Sequence, residues 1–100
     1  PNEVRAVVVV CSADLRAVVV MFVEKIINDS RYIRNIRHSG IKVSTKDMRI
    51  FFEKTTGCQW NPSIETRFLY VFHDEMTRRG YKLLVRRRQN KKTVYMYEKL

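Results

Sequence analysis

Apolar and polar positions along this chain follow two periods, and the places where the period changes mark the elements. Leu15, Val18, Val19, Phe22 and Ile26 recur at helical spacing, which predicts a helix with one apolar face and with Glu24 and Lys25 outside. Ala17, Val20 and Met21 lie off that face. They are surplus apolar surface for one helix and point to deeper burial or a partner subunit. Upstream, "RAVVV" at Arg5 to Val9 recurs at Arg16 to Val20, an offset of 11 residues. In one continuous helix both copies face the same way. The run of valines from Val7 to Val10 also suits a strand, with Ser12 capping a new helix from Ala13. Both readings of residues 4–11 stay open, and the expected element order takes the continuous helix.

The pattern turns basic in "RYIRNIRHSGIKVS", where Tyr32, Ile33 and Ile36 are candidates to pin the segment to the core. Gly40 is a turn signal, and "IKVS" has the length of one strand. Ser44-Thr45-Lys46-Asp47 resembles a capping box, opening a short helix to about Lys54 with Met48, Phe51 and Phe52 inward. "TTGCQWN" breaks it. Asn61-Pro62 then supplies an N-cap and a proline at the first helical position. Ile64, Phe68, Val71, Phe72 and Met76 form the inner stripe of this helix, with Leu69 at its margin. Ser63, Thr66, Arg67, Tyr70, Asp74 and Thr77 form the outer stripe, and Gly80 ends the helix. From Tyr81 to Lys99, two strand-forming stretches flank "RRQNKK", read as their loop. No low-complexity linker interrupts the sequence, so residues 1–100 are expected to form a single domain.

Charge changes the picture most. The formal net charge is +10, which destabilises a compact chain by self-repulsion and favours nucleic acid, an anionic membrane or an acidic protein as partner. From Arg78 to Lys92 there are eight cations and no acid. The apolar start is interrupted by Arg5, Asp14 and Arg16, so it is not expected to span a membrane, and no membrane partner is expected. Cys11 and Cys58 are far apart, without a second pair for a metal quartet. They suggest two free thiols in a reducing, intracellular setting, cytoplasm, nucleoid or nucleus. His38 and His73 are isolated, and His73-Asp74-Glu75 reads as helix surface. With no nucleophile motif, phosphate loop or telling carboxylate pair, neither an enzyme nor a metal or other cofactor is expected.

The element order resembles that of the winged helix-turn-helix family of DNA-binding domains over Leu15 to Lys99. "STKDMRIFFEKTTG" matches the first helix of the motif, "NPSIETRFLYVFHDEMTRRG" the second, and "YKLLVRRRQNKKTVYMYEK" the wing. The loop from Thr55 to Trp60 is longer than the tight turn of the compact motif. The resemblance implies an α+β fold: a three-helix core, a β-hairpin wing over residues 81–99, and an apolar extension, 1–14, suited to a dimer contact. It implies a third helix that enters the major groove of double-stranded DNA, with Ser63, Thr66, Arg67 and Tyr70 on the reading face. Arg67 suits a guanine edge or a phosphate, and Glu65 a helix dipole or a cytosine amine. Arg86, Arg87, Arg88, Lys91 and Lys92 would grip the backbone or the minor groove, unless they only keep a loop solvated. Lys46 and Arg49, with Arg31, Arg34, Arg37 and Lys42, form a second basic patch, with Lys46 near a helix start that can clamp a phosphate. Trp60 reads as a core plug. The expected role is that of a transcription regulator or DNA-organising factor, acting as a homodimer if the first segment pairs. The competing role is an interaction module of a larger replication, transcription or RNA-processing complex, with a protein partner or structured RNA on the basic surface.

Overall fold

The computed structural model describes residues 15–29, 33–35 and 40–100, those at 33–35 by their backbone. The helix-or-strand alternative for Val4 to Val10, Cys11, and the side chains of Arg31, Arg34 and Arg37 lie outside the described residues. The elements are α1 (Leu15–Asn28), β1 (Ile33–Asn35), β2 (Gly40–Ser44), α2 (Thr45–Thr56), α3 (Pro62–Arg78), β3 (Tyr81–Gln89) and β4 (Lys92–Lys99). The strands pair antiparallel in the order β1-β2-β4-β3. The chain is therefore α+β, with a layout compatible with that of a winged helix-turn-helix.

Helix ends follow local chemistry. Ser44 is extended (φ −119°, ψ 162°), and its hydroxyl accepts from the Asp47 amide at 3.2 Å. The Asp47 carboxylate accepts from the Ser44 amide at 2.9 Å, which completes the capping box. Gly57 ends α2 in the left-handed region at φ 74°, where a side chain is disfavoured, and its amide bonds the Glu53 carbonyl at 2.9 Å. Asn61 Oδ1 accepts from the Ile64 amide at 2.9 Å, and Pro62 occupies the first turn of α3, where its missing N–H costs nothing.

Burial follows the apolar stripes. Val19, Phe22, Ile26, Met48, Phe52, Phe68, Phe72 and Met76 are all fully buried. The Phe22 ring lies 5.2 Å from Phe51, 5.8 Å from Phe68 and 5.7 Å from Phe72, so one aromatic cluster joins the three helices. Val23 joins this core, while Ala17 and Met21 are exposed and Val20 half-buried, off the core face. Trp60 plugs the turn between α2 and α3, its ring 5.4 Å from Phe52 and 5.3 Å from Phe68. The sheet closes on these helices through Ile41, Val43, Tyr95 and Tyr97, all buried.

Several expectations need correction. β1 was not anticipated: three residues among arginines carry no legible alternation, and pairing of Ile33 with Ile41 supplies the strand. The hairpin loop is not "RRQNKK". β3 runs through Gln89 and β4 resumes at Lys92, leaving Asn90-Lys91 as the turn, with φ of 49° and 64°. Positive φ at both central residues matches the right-handed twist of the flanking strands, as in a type I′ turn. Glu75 is buried, and its carboxylate accepts from Arg79 Nε at 2.8 Å. His73 is not plain helix surface but half-buried, bonded through Nδ1 to the Tyr97 hydroxyl. Cys58 is buried in the α2–α3 turn and disulfide-bonded, so it is not a free thiol. Wide sequence separation gave no sign of pairing.

Candidate nucleic-acid interface

Cation placement is decided by three backbone devices: a helix start, a helix face and a two-residue turn. The capped start of α2 presents Lys46, with Arg49 one turn on, and both are exposed. The β3–β4 turn presents Lys91, with Lys92 opening β4. These four cations line one hollow of about 330 Å³, together with Trp60 and Glu65 at the start of α3. Thr93, on β4, donates its amide to Thr45 Oγ1 at 3.1 Å and so holds the hairpin against the α2 start. Trp60 is both plug and wall: its amide donates to Glu53 Oε2 at 2.9 Å and its Nε1 to Glu65 Oε1 at 3.2 Å. Glu65, weighed above as a cytosine acceptor, thus already accepts a hydrogen bond from the protein.

Ser63, Thr66, Arg67 and Tyr70 lie on the outward face of α3 and are exposed, Tyr70 at 77%. They do not line the hollow; they flank it on the helix side. The Thr66 hydroxyl donates to the Pro62 carbonyl at 3.0 Å, so its oxygen retains acceptor capacity for an outside group.

Arg86, Arg87 and Arg88 are strand residues, so successive side chains point to opposite faces of the sheet. Arg86 stands opposite Tyr95 and Arg88 opposite Thr93, on the face that meets α3. Arg87 stands opposite Val94, on the other face. Arg86 stands beside the Tyr95 hydroxyl and acts on it electrostatically. Burial is the main cause raising the Tyr95 hydroxyl above its ordinary pKa, and Arg86 opposes that rise. Burial and then the nearby Arg86 charge hold His73 below its usual value, favouring a neutral ring that accepts from Tyr97. Tyr97 is itself pushed well up, mostly by burial, and keeps its proton. The His73–Tyr97 hydrogen bond, with the His73 ring 4.9 Å from that of Tyr95, therefore ties β4 to α3.

Other cations are spent elsewhere. Arg78 lies 3.7 Å from Asp74 and Arg79 3.6 Å from Glu24, at the far end of α3. Sequence reasoning gave no role to Asn90 and Gln89 and grouped Lys42 with Lys46 and Arg49. Lys42 in fact belongs to β2 and lines a separate hollow. The turn lies within the loop read from the sequence; the faces of the arginines depended on a register no local pattern states. Among the described residues no group of three or more metal-ligating side chains occurs, and no helix is long and apolar enough to cross a membrane. No protein-family model, curated protein or solved structure matches the chain.

Proposed function

We propose that this chain is a winged helix-turn-helix domain that binds double-stranded DNA. The supporting observation is convergence. Lys46 and Arg49 from α2 and Lys91 and Lys92 from the wing turn meet in one hollow, beside the exposed polar face of α3. Cations from separate elements repel one another, so gathering them costs stability unless a polyanion neutralises them. Phosphates do so and release counterions, which gives affinity and register without sequence information. The face carrying Ser63, Thr66, Arg67 and Tyr70 is the part that enters the major groove, with the wing on the neighbouring backbone or minor groove. A transcription regulator and a DNA-organising factor share this geometry and differ in whether α3 reads bases.

The test is affinity for a duplex DNA, a single strand and a double-stranded RNA at two salt concentrations. Duplex DNA is expected to bind best, with affinity falling steeply as salt rises. Equal affinity at both salts would reject phosphate neutralisation as the driving term, and preference for RNA would favour the interaction-module role.

A further inference from the structure

The sheet has a second basic face. Paired antiparallel residues share a face, so Lys42 (opposite Met96), Arg87 (opposite Val94) and Lys92 (opposite Gln89) lie together on the side away from Tyr95 and Tyr97. Tyr95 and Tyr97 meet His73 of α3, so this is the side turned away from the recognition helix. At the wing end this face borders a hollow of about 410 Å³, lined among others by Lys42, Ser44, Gln89, Asn90 and Lys92. Asp47 is the acid in its described lining, and its carboxylate already accepts from the Ser44 amide and hydroxyl, both at 2.9 Å. Lys42 and Arg87 are exposed, and the ion pairs among the described residues include neither. Asn90 and Lys92 line this hollow and the α2–α3 hollow alike, so the two flank a single hairpin turn.

Cations on opposite faces of one ribbon cannot follow a single row of phosphates. A ribbon whose tip enters a minor groove, about 6 Å wide in B-DNA, has a different backbone on each side. We propose that this rear face is a second phosphate site, in which Lys42 in the hollow and Arg87 beside it on the same face hold the DNA strand opposite the one held by Lys46 and Arg49. This rests on the duplex-binding reading above. It gives the wing two grips, one per strand, with Lys92 and Asn90 between them.

The experiment compares the unaltered protein with the Lys42→Gln/Arg87→Gln variant on three duplexes: unmodified, and with uncharged methylphosphonate linkages on one strand or the other. Unaltered protein should lose affinity when either strand is neutralised. The variant should stay sensitive to one strand only, and its log K against log salt should be shallower by about 1.8, for two lost phosphate contacts. An unchanged thermal midpoint would show that the variant is folded. A variant with the native salt slope and native sensitivity to both strands overturns the proposal. So does one that binds a single duplex normally but no longer holds two duplexes together in sedimentation, which would make the rear face a bridge between DNA segments. Failure of the unaltered protein to bind any duplex would overturn the functional reading as well, and would be seen before the variant is tested.

Discussion

The two halves of the β3–β4 hairpin differ sharply in what they cover. In the half near the chain end, Tyr81 and Tyr97 are buried, Tyr97 packs 5.7 Å from Phe72, and its hydroxyl bonds His73. In the half near the turn, Arg88, Gln89, Asn90 and Lys91 are exposed. An irregularity between Leu83 and Val85 lies in the first half, and Leu84, its extra residue, is 54% exposed. Near the chain end the hairpin closes the core, whereas near the turn β4 stays buried through Thr93, Val94 and Tyr95 while β3 from Arg86 to Gln89 and the turn itself face solvent. On the proposed DNA-binding reading, stability and binding fall to opposite ends of one hairpin, and substitutions should separate them.

The largest effect should come from the core that the first half covers. Phe72→Ala removes a ring packed on both Phe22 and Tyr97 and should cost about 3–5 kcal/mol in chemical denaturation. DNA affinity per folded molecule should change little. If affinity collapses while the protein stays folded, the two halves are not independent.

Next comes the link between the hairpin and α3. Tyr97→Phe leaves His73 Nδ1 without its partner and should cost about 1–3 kcal/mol. The same pair sets a pH dependence. His73 titrates in the folded protein below its ordinary value of 6.5, so on acidification the unfolded chain takes up the proton first. Stability should be indifferent to this group above pH 6.5 and should fall as pH drops below it. In His73→Gln that segment of the stability–pH curve should flatten, and an unaltered acid slope would show that another group controls it.

Binding substitutions should leave stability alone. Arg67→Ala should weaken the preferred DNA sequence by roughly 1–3 kcal/mol if the side chain makes a bidentate base contact, and other sequences less. Arg88→Ala should weaken all duplexes about equally, because it meets groups every sequence shares. Both should unfold within about 0.5 kcal/mol of the native protein, since both side chains are exposed. An Arg67→Ala loss equal on every sequence would make α3 a phosphate clamp and the protein a DNA-coating factor.

The smallest effect is the most discriminating. Lys91 sits at φ 64°, where glycine carries no Cβ penalty. Lys91→Gly, which creates the Asn-Gly pair preferred in such turns, should stabilise the fold by about 0.5 kcal/mol. It also removes a cation of the proposed interface, so binding should weaken while the unfolding midpoint rises. Both quantities moving in the same direction would contradict the division of the hairpin.

Local sequence determined the existence of the three described helices and the starts of α2 and α3. Ser44 with Asp47, Asn61 with Pro62, and Gly57 act within four residues, a range at which capping and left-handed backbone geometry need no distant partner. The apolar stripes of α1 and α3 were equally legible, because helical spacing puts Phe22, Phe68 and Phe72 on inward faces whatever they meet. The hairpin turn was legible only to within a few residues: "RRQNKK" reads as the loop, and Asn90-Lys91 at its centre is the turn. Tertiary structure alone decided the rest. Strand β1 exists because β2 offers it a pairing edge. His73 became half-buried because Tyr97 arrives from 24 residues away. The different faces taken by Arg86, Arg87 and Arg88 come from pairing with Tyr95, Val94 and Thr93. A shift of one residue in that register would exchange their faces, and nothing in three consecutive arginines records which face each will take.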